Sequence, residues 1–165
     1  MDLRRLIWPR SSPKKGKRRM SFKTTASKKI CISFDWHNDR NYRNLLSALV
    51  ANPGSAIDFQ DLTPNAISTD SVSVVKGVLT TRIRAATHML VLVGAYANTP
   101  HADRTLIGDR NWQWWEINQA KANGKKLIAV KIKSTNDTPT PLLNAGAKWA
   151  MSYTVEAIRQ KIDEA

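Results

Sequence analysis

MLVLVG, Met89–Gly94, is the stretch on which the fold turns: five consecutive apolar residues closed by a glycine. The run is too short to cross a bilayer, and its lack of polar alternation suits a strand covered on both faces, as in a parallel sheet. Upstream of it, Val74, Val75, Val78, Leu79 and Ile83 recur at helical spacing behind Asp70, a predicted helix cap. Before that helix lie a polar loop, Gln60–Thr69, and a short predicted strand, Ala56–Phe59. Ile30–Phe34 (ICISF) reads as a first buried strand. Asp35–Asp39 then supplies capping residues for a helix through Tyr42, Leu45, Leu46, Leu49 and Val50, which stops near Asn52-Pro53-Gly54.

Downstream of Gly94 a long loop reaches Arg110, and a Trp-rich helix follows, ending at Asn123-Gly124 with a left-handed cap. Leu127–Ile132 (LIAVKI) is a fourth strand and Lys148–Ser152 a short fifth; Val155–Ile162 closes the chain as a helix capped near Thr154. Strands alternating with helices at this spacing give an α/β three-layer sandwich, a parallel sheet of about five strands with helices on both faces. In such sheets ligands collect outside the carboxyl ends of the strands, where strand order reverses. That rule selects Ser33–Trp36, Gln60–Thr69 and Gly94–Trp112 as site loops.

RNWQWWEINQA, residues 110–120, places three of the six tryptophans around one glutamate. Trp112 and Glu116 stand four apart and share a helix face, with Trp115 adjacent and Trp114 pointing elsewhere. Such a turn is either a core anchor or a pocket, and its position one turn past a site loop lets Glu116 reach the strand-end rim.

The net charge of +13 over 165 residues belongs mostly to one segment. Residues 1–29 hold 11 Lys/Arg and a single acid, Asp2, while the remaining 15 basic residues face 12 acids. Residues 1–27 therefore read as a disordered basic tail before a globular domain, 28–165. Within the tail, Leu3, Leu6, Ile7 and Trp8 beside Arg4 and Arg5 fit a short membrane-touching or docking turn. An anionic partner for the arm, a solvated arm and an upstream extension with Met20 as the working start all remain open. The lone cysteine, Cys31, precludes an internal disulfide and fits a reducing, cytoplasmic setting.

Several chemistries lack their residues. The chain has no phosphate-binding Gly-Lys-Ser/Thr loop, no GxGxxG after the first strand and no GxSxG elbow. His37, His88 and His101 have no metal spacing, so no metal site is expected. A phosphoacceptor fold needs an aspartate at the end of the third strand, where this chain has Val93-Gly94-Ala95.

KKICISFDWHNDRNYRNLL, MLVLVG, WQWWEINQA with KKLIAVKI, and LLNAGAKWAMSYT together resemble the TIR-like family that includes the signal-producing protein of Thoeris antiphage defence. The resemblance spans roughly residues 28–163 and implies a flavodoxin-like/TIR-like sheet. Its most specific element is a Trp four residues before a Glu after the third strand, matched by Trp112 and Glu116. It implies that Glu116 is the catalytic residue of an NAD-cleaving enzyme, an NAD glycohydrolase or ADP-ribosyl cyclase. Ser33-Phe34 matches the family's first-strand ending. The loop Gly94–Arg110 is longer than in many relatives, and the loop after the second strand lacks the usual Gly-rich or Pro-Gly turn.

The chemistry fits that expectation. Breaking the nicotinamide–ribose bond develops oxocarbenium charge, which a carboxylate stabilises, while aromatic faces hold the ring. Glu116 suits the first task, and Phe34, Trp36, Trp112 and Trp115, with Asp35 beside them, form the expected substrate-binding set. The resemblance implies NAD as the substrate, with no separate cofactor. The product, ADP-ribose or a cyclic isomer, would signal to a separate effector, and activation would assemble a homo-oligomer. The alternative is a non-catalytic TIR-like scaffold; a nucleic-acid-binding protein working through its tail is a more distant third.

Deleting Met1–Arg19 is expected to leave the unfolding temperature and any NAD turnover unchanged, and to abolish any salt-sensitive binding to DNA or anionic vesicles. A fall of several degrees would show that the segment packs on the domain.

Overall fold

The computed structural model of the chain describes residues 27–50, 57–61 and 67–165. The basic tail, the helix stop at Asn52-Pro53-Gly54 and most of the loop after the second strand lie outside the described residues. In chain order the elements are β1 (Lys28–Ser33), α1 (Trp36–Val50), β2 (Ile57–Asp61), α2 (Val72–Ala85), β3 (His88–Val93), α3 (Arg104–Ile107), α4 (Trp112–Ala122), β4 (Lys126–Lys131), β5 (Lys148–Ala150) and α5 (Val155–Glu164). The strands form one parallel sheet in the order β2-β1-β3-β4-β5. This is the expected α/β sandwich with its flavodoxin-like order, and strand order reverses between β1 and β3.

Alternate residues of each strand feed the two faces of the sheet. Cys31, Met89, Val91, Val93, Leu127 and Ala129 pack with Val75, Leu79 and Ile83 of α2 and Trp115, Ile117 and Ala120 of α4. Ile30, Ile32, Leu90, Leu92, Ile128 and Val130 pack on the other side with Leu46 of α1 and Ile158 and Ile162 of α5. All of β3 is buried, as the uninterrupted run in its sequence requires.

The termini of the helices show which polar residues do the capping. Asp35 accepts the backbone N–H of His37 at 2.9 Å and of Asn38 at 3.3 Å, starting α1. Asn111 accepts from Trp114 N at 2.9 Å to start α4, and Thr154 accepts from Ala157 N to start α5. Gly124 adopts the left-handed conformation, φ +63°, just past α4. At α2 the expectation is corrected: the cap is Ser71 rather than Asp70, and its side chain makes no capping bond. The loop after β3 holds the short helix α3, which four residues of pattern cannot announce; its anchor is the fully buried Ile107.

Gly94, directly after β3, is needed for space. A Cβ there would stand 2.2 Å from Oδ2 of Asp39, a buried α1 carboxyl without a hydrogen-bond partner at that oxygen. Burial, and then the charge of Asp35, push the Asp39 carboxyl up to about 6. Gly94→Ala is expected to destabilise the fold by ~1–3 kcal/mol through overpacking, with much of the loss relieved in the Gly94→Ala, Asp39→Ala double variant. Additive losses in thermal unfolding would contradict the contact.

Candidate functional site

The carboxyl ends of β1 and β3 meet the first turns of α1 and α4. Pairing between the two strands runs to Ser33 opposite Val91. At that edge Gln113, on the first turn of α4, donates from Nε2 to the carbonyl oxygens of Leu92 at 2.8 Å and Ser33 at 3.4 Å. Its side chain ties α4 to both strands at the point where their order reverses.

One turn along the same helix face, Glu116 is 1% exposed. Ser33 Oγ donates to its Oε2 at 2.5 Å, and Oε1 has no hydrogen-bond partner. Burial pushes the carboxyl up to about 8, against the smaller opposing effect of the Ser33 bond. The neighbouring Cys31 thiol is driven up to about 12 by burial and then by the Glu116 charge, so it stays protonated and inert.

Beside this buried pair opens a cleft of about 160 Å³. Phe34, Asp35, Trp36 and His37 line it from the start of α1; Tyr96, Thr99, Pro100 and His101 from the loop after β3; and Asn111, Trp112 and Gln113 from the start of α4. Phe34 and Trp36 stand 5.9 Å apart at 49°, and the Arg40 guanidinium lies 5.6 Å from the Trp36 ring. The long loop is held as a wall. Asn111 Nδ2 donates to the carbonyls of Ala97 and Thr99, Arg110 Nε donates to that of Asn98, and Asn98 donates to that of Asp137.

The three tryptophans of α4 divide their work. Trp112 is half-buried and faces the cleft. Trp114 donates from Nε1 to Asn98 at 3.1 Å and carries the Arg110 guanidinium over its ring, so it fastens the loop. Trp115 belongs to the core beneath, edge-on to Trp112 at 5.9 Å with Lys76 over its face. Of the expected substrate-binding set, Phe34, Asp35, Trp36 and Trp112 are thus brought together around one cleft, and Trp115 supports it from behind. Glu116 is not among the lining residues; it is buried beside Ser33, three residues from Gln113 on the same helix. Tyr96 and His101 lie within the expected site loop Gly94–Trp112 without having been singled out as substrate-binding, and Gln113 was not named, although its three-residue spacing from Glu116 already puts both on one helix face. His88 sits at the opposite end of the sheet, paired with Thr87. Among the described residues no group of three His, Cys, Asp or Glu side chains is placed to hold a metal ion, and no helix is long and apolar enough to cross a membrane.

The family described as Thoeris protein ThsB, TIR-like domain, matches residues 31–137. No curated protein matches the chain. Among solved structures it is similar to a 2-deoxyribosyltransferase from Bacillus psychrosaccharolyticus, with 13% identity, TM-score 0.52 and coverage of 76% of this chain and 87% of that one. A 2-desoxiribosyltransferase from Leishmania mexicana matches at 17% identity and TM-score 0.52, over 83% and 97%. A prokaryotic SEFIR domain matches at 15% identity and TM-score 0.50, over 84% and 95%. At these identities the likeness is one of fold.

The buried acid makes stability depend on pH with a defined sign. In the unfolded chain Glu116 ionises near 4.5, in the fold only near 8. Between these values the native state keeps a proton that the unfolded chain has released, so folding stability falls as pH rises through the window. Glu116→Gln removes the titration. Its unfolding temperature is expected to match wild type below pH 4.5 and to exceed it increasingly toward pH 8, by on the order of 4–5 kcal/mol in stability. A pH-independent difference would contradict a carboxyl buried in its neutral form.

Proposed function

The chain belongs to the Thoeris ThsB TIR-like domain family, and on that premise we propose that it consumes NAD, breaking the nicotinamide–ribose bond with Glu116 as the catalytic carboxylate. The observation that carries this reading is a buried carboxyl with one uncommitted oxygen, beside an aromatic cleft at the point where strand order reverses. Phe34, Trp36 and Trp112 offer ring faces to the flat nicotinamide. Asp35 adds negative charge at the rim, favourable to a cationic ring.

The nicotinamide of NAD is positively charged and leaves as a neutral molecule, so its departure needs no general acid. The positive charge passes to the ribose, where a carboxylate stabilises it through the transition state. Glu116 is suited to that task once ionised. Burial holds its proton on near neutral pH, and a cationic ring nearby favours the ionised form by direct attraction. Substrate thereby drives the acid toward the state that the reaction uses. Water as acceptor gives ADP-ribose; an internal nucleophile gives a cyclic isomer. In this reading the product signals to a separate effector, the working form is a homo-oligomer, and NAD serves as substrate with no further cofactor.

A TIR-like scaffold is the rival reading, and complete burial of Glu116 on Ser33 is the observation in its favour, since a buried hydrogen-bonded carboxyl also serves structure. Turnover separates the two. Purified protein under activating conditions is expected to convert NAD to nicotinamide and an ADP-ribose product identified by mass spectrometry, and Glu116→Gln to lose nearly all of that activity while staying folded. For the wild type, kcat/KM is expected to rise with pH toward about 8, where the free protein's Glu116 ionises. The kcat profile is expected to be displaced to lower pH by the bound cation. Wild-type turnover by the Gln variant would contradict the catalytic role of Glu116, and no turnover in any activated preparation would favour the scaffold.

A further inference from the structure

We propose that His101 is a sugar-binding residue, donating its Nε2–H to a hydroxyl of the ribose carried by the ring in the aromatic cleft. The identity of that ring, a cationic pyridinium nucleoside, is taken from the NAD reading; the recognition itself rests on where His101 stands and how its imidazole is held.

His101 and Trp112 stand between two cavities and line both. On one side is the cleft with Phe34 and Trp36. On the other is an open groove of about 710 Å³, walled by Ser68, Thr69 and Asp70 ahead of α2 and by Asp103 ahead of α3. The cleft offers ring faces, whereas the groove offers hydroxyls and two carboxylates. Among the described residues no Lys or Arg lines either cavity. Together the two suit a positively charged ligand that is aromatic at one end and rich in hydroxyls at the other.

The imidazole at the junction is set in advance. The His101 backbone N–H donates to Arg110 O at 2.8 Å, and its carbonyl accepts from Arg104 N at 3.2 Å, which ties the residue down on both sides. Nδ1 accepts the backbone N–H of Asp103 at 3.0 Å, while the Asp103 carboxylate, 3.8 Å from the same nitrogen, is beyond hydrogen-bond distance. A ring nitrogen that accepts a hydrogen bond carries no proton, so the neutral imidazole bears its proton on Nε2. With its other three polar groups committed to the loop, His101 keeps one donor for a ligand. Its side chain is 41% exposed, within reach of a molecule in either cavity. A ring lodged among Phe34, Trp36 and Trp112 carries its sugar past this donor into the groove, where further hydroxyls meet the carboxylates of Asp70 and Asp103.

The test is NMR titration of the full chain with two cations that share the nicotinamide ring. One is 1-methylnicotinamide, which has no sugar; the other is the carbocyclic analogue of nicotinamide riboside, whose ring-to-sugar bond does not hydrolyse. Wild type is expected to bind the riboside analogue about tenfold more tightly. Two variants separate the donor from the loop bond. His101→Asn supplies a side-chain oxygen to the Asp103 N–H but has no donor at the Nε2 position, whereas His101→Gln keeps an N–H near that position and gives up the loop bond. The preference is expected to fall about fivefold in His101→Asn and to be largely kept in His101→Gln. Equal affinities in wild type, no binding of either cation at millimolar concentration, or a preference kept by His101→Asn would overturn the assignment. Labelled imidazole nitrogens decide independently of any variant, since the chain has only three histidines. The His101 Nε2 resonance is expected to move substantially further with the riboside analogue than with 1-methylnicotinamide, and an equal shift with both would overturn the contact. NAD turnover with an unaltered KM in His101→Asn would overturn the sugar contact and leave the cleavage reading intact. A riboside preference that His101→Asn loses, without NAD turnover in any activated preparation, would support the contact and overturn cleavage.

Discussion

One side-chain amide joins the two strands at which the sheet changes direction. By bonding the carbonyls of Ser33 and Leu92, Gln113 fixes the first turn of α4 against β1 and β3. Everything of interest at this end of the molecule follows from that placement. Glu116 arrives one turn later against the Ser33 hydroxyl, Trp112 turns to the cleft, and Trp115 goes into the core. The loop after β3 is then fastened to the same helix through Asn111 and Trp114. The placement of one helix thus sets the acid, Trp112 and the far side of the cleft.

The strands and their order of appearance were legible because apolar runs such as Met89–Val93 leave a short segment little choice but a buried strand. Trp112 and Glu116 were legible by their spacing, and Phe34, Asp35 and Trp36 by following a strand at the rim where ligands collect. Trp115 was not, because Trp112, Trp115 and Glu116 fall within one arc of the helix and periodicity does not say where cleft ends and core begins. Gln113 was hidden for a different reason. A glutamine is buried only if its partners await it, and these lie 80 and 21 residues away in sequence, which only the folded sheet brings together. Asp70 failed as a cap for a local reason, since Ser71 occupies the starting position of α2.

Two buried carboxyls flank the switch point from opposite faces of the sheet, Glu116 from α4 and Asp39 from α1, and each keeps one oxygen without a partner. Both are displaced toward the neutral form by desolvation. Protonation lets the fold tolerate them, at a stability cost that grows with pH. Such an arrangement is a poor way to hold a protein together and a good way to prepare a site for positive charge. The aromatic lining of the cleft fits the cationic nucleotide substrate proposed above.

That electrostatic coupling can be measured without any reaction. The chain has three glutamates, Glu116, Glu156 and Glu164, so carboxyl-labelled glutamate gives a side-chain carbon spectrum simple enough to assign with Glu116→Gln. Titrating the labelled protein alone, with neutral nicotinamide, and with the uncleavable cation 1-methylnicotinamide reads the Glu116 proton directly. The account predicts a pKa of about 8 in the free protein, little change with nicotinamide, and a clear fall with the cation. A Glu116 carboxyl that titrates identically in all three, with both ligands shown to be bound, would contradict it.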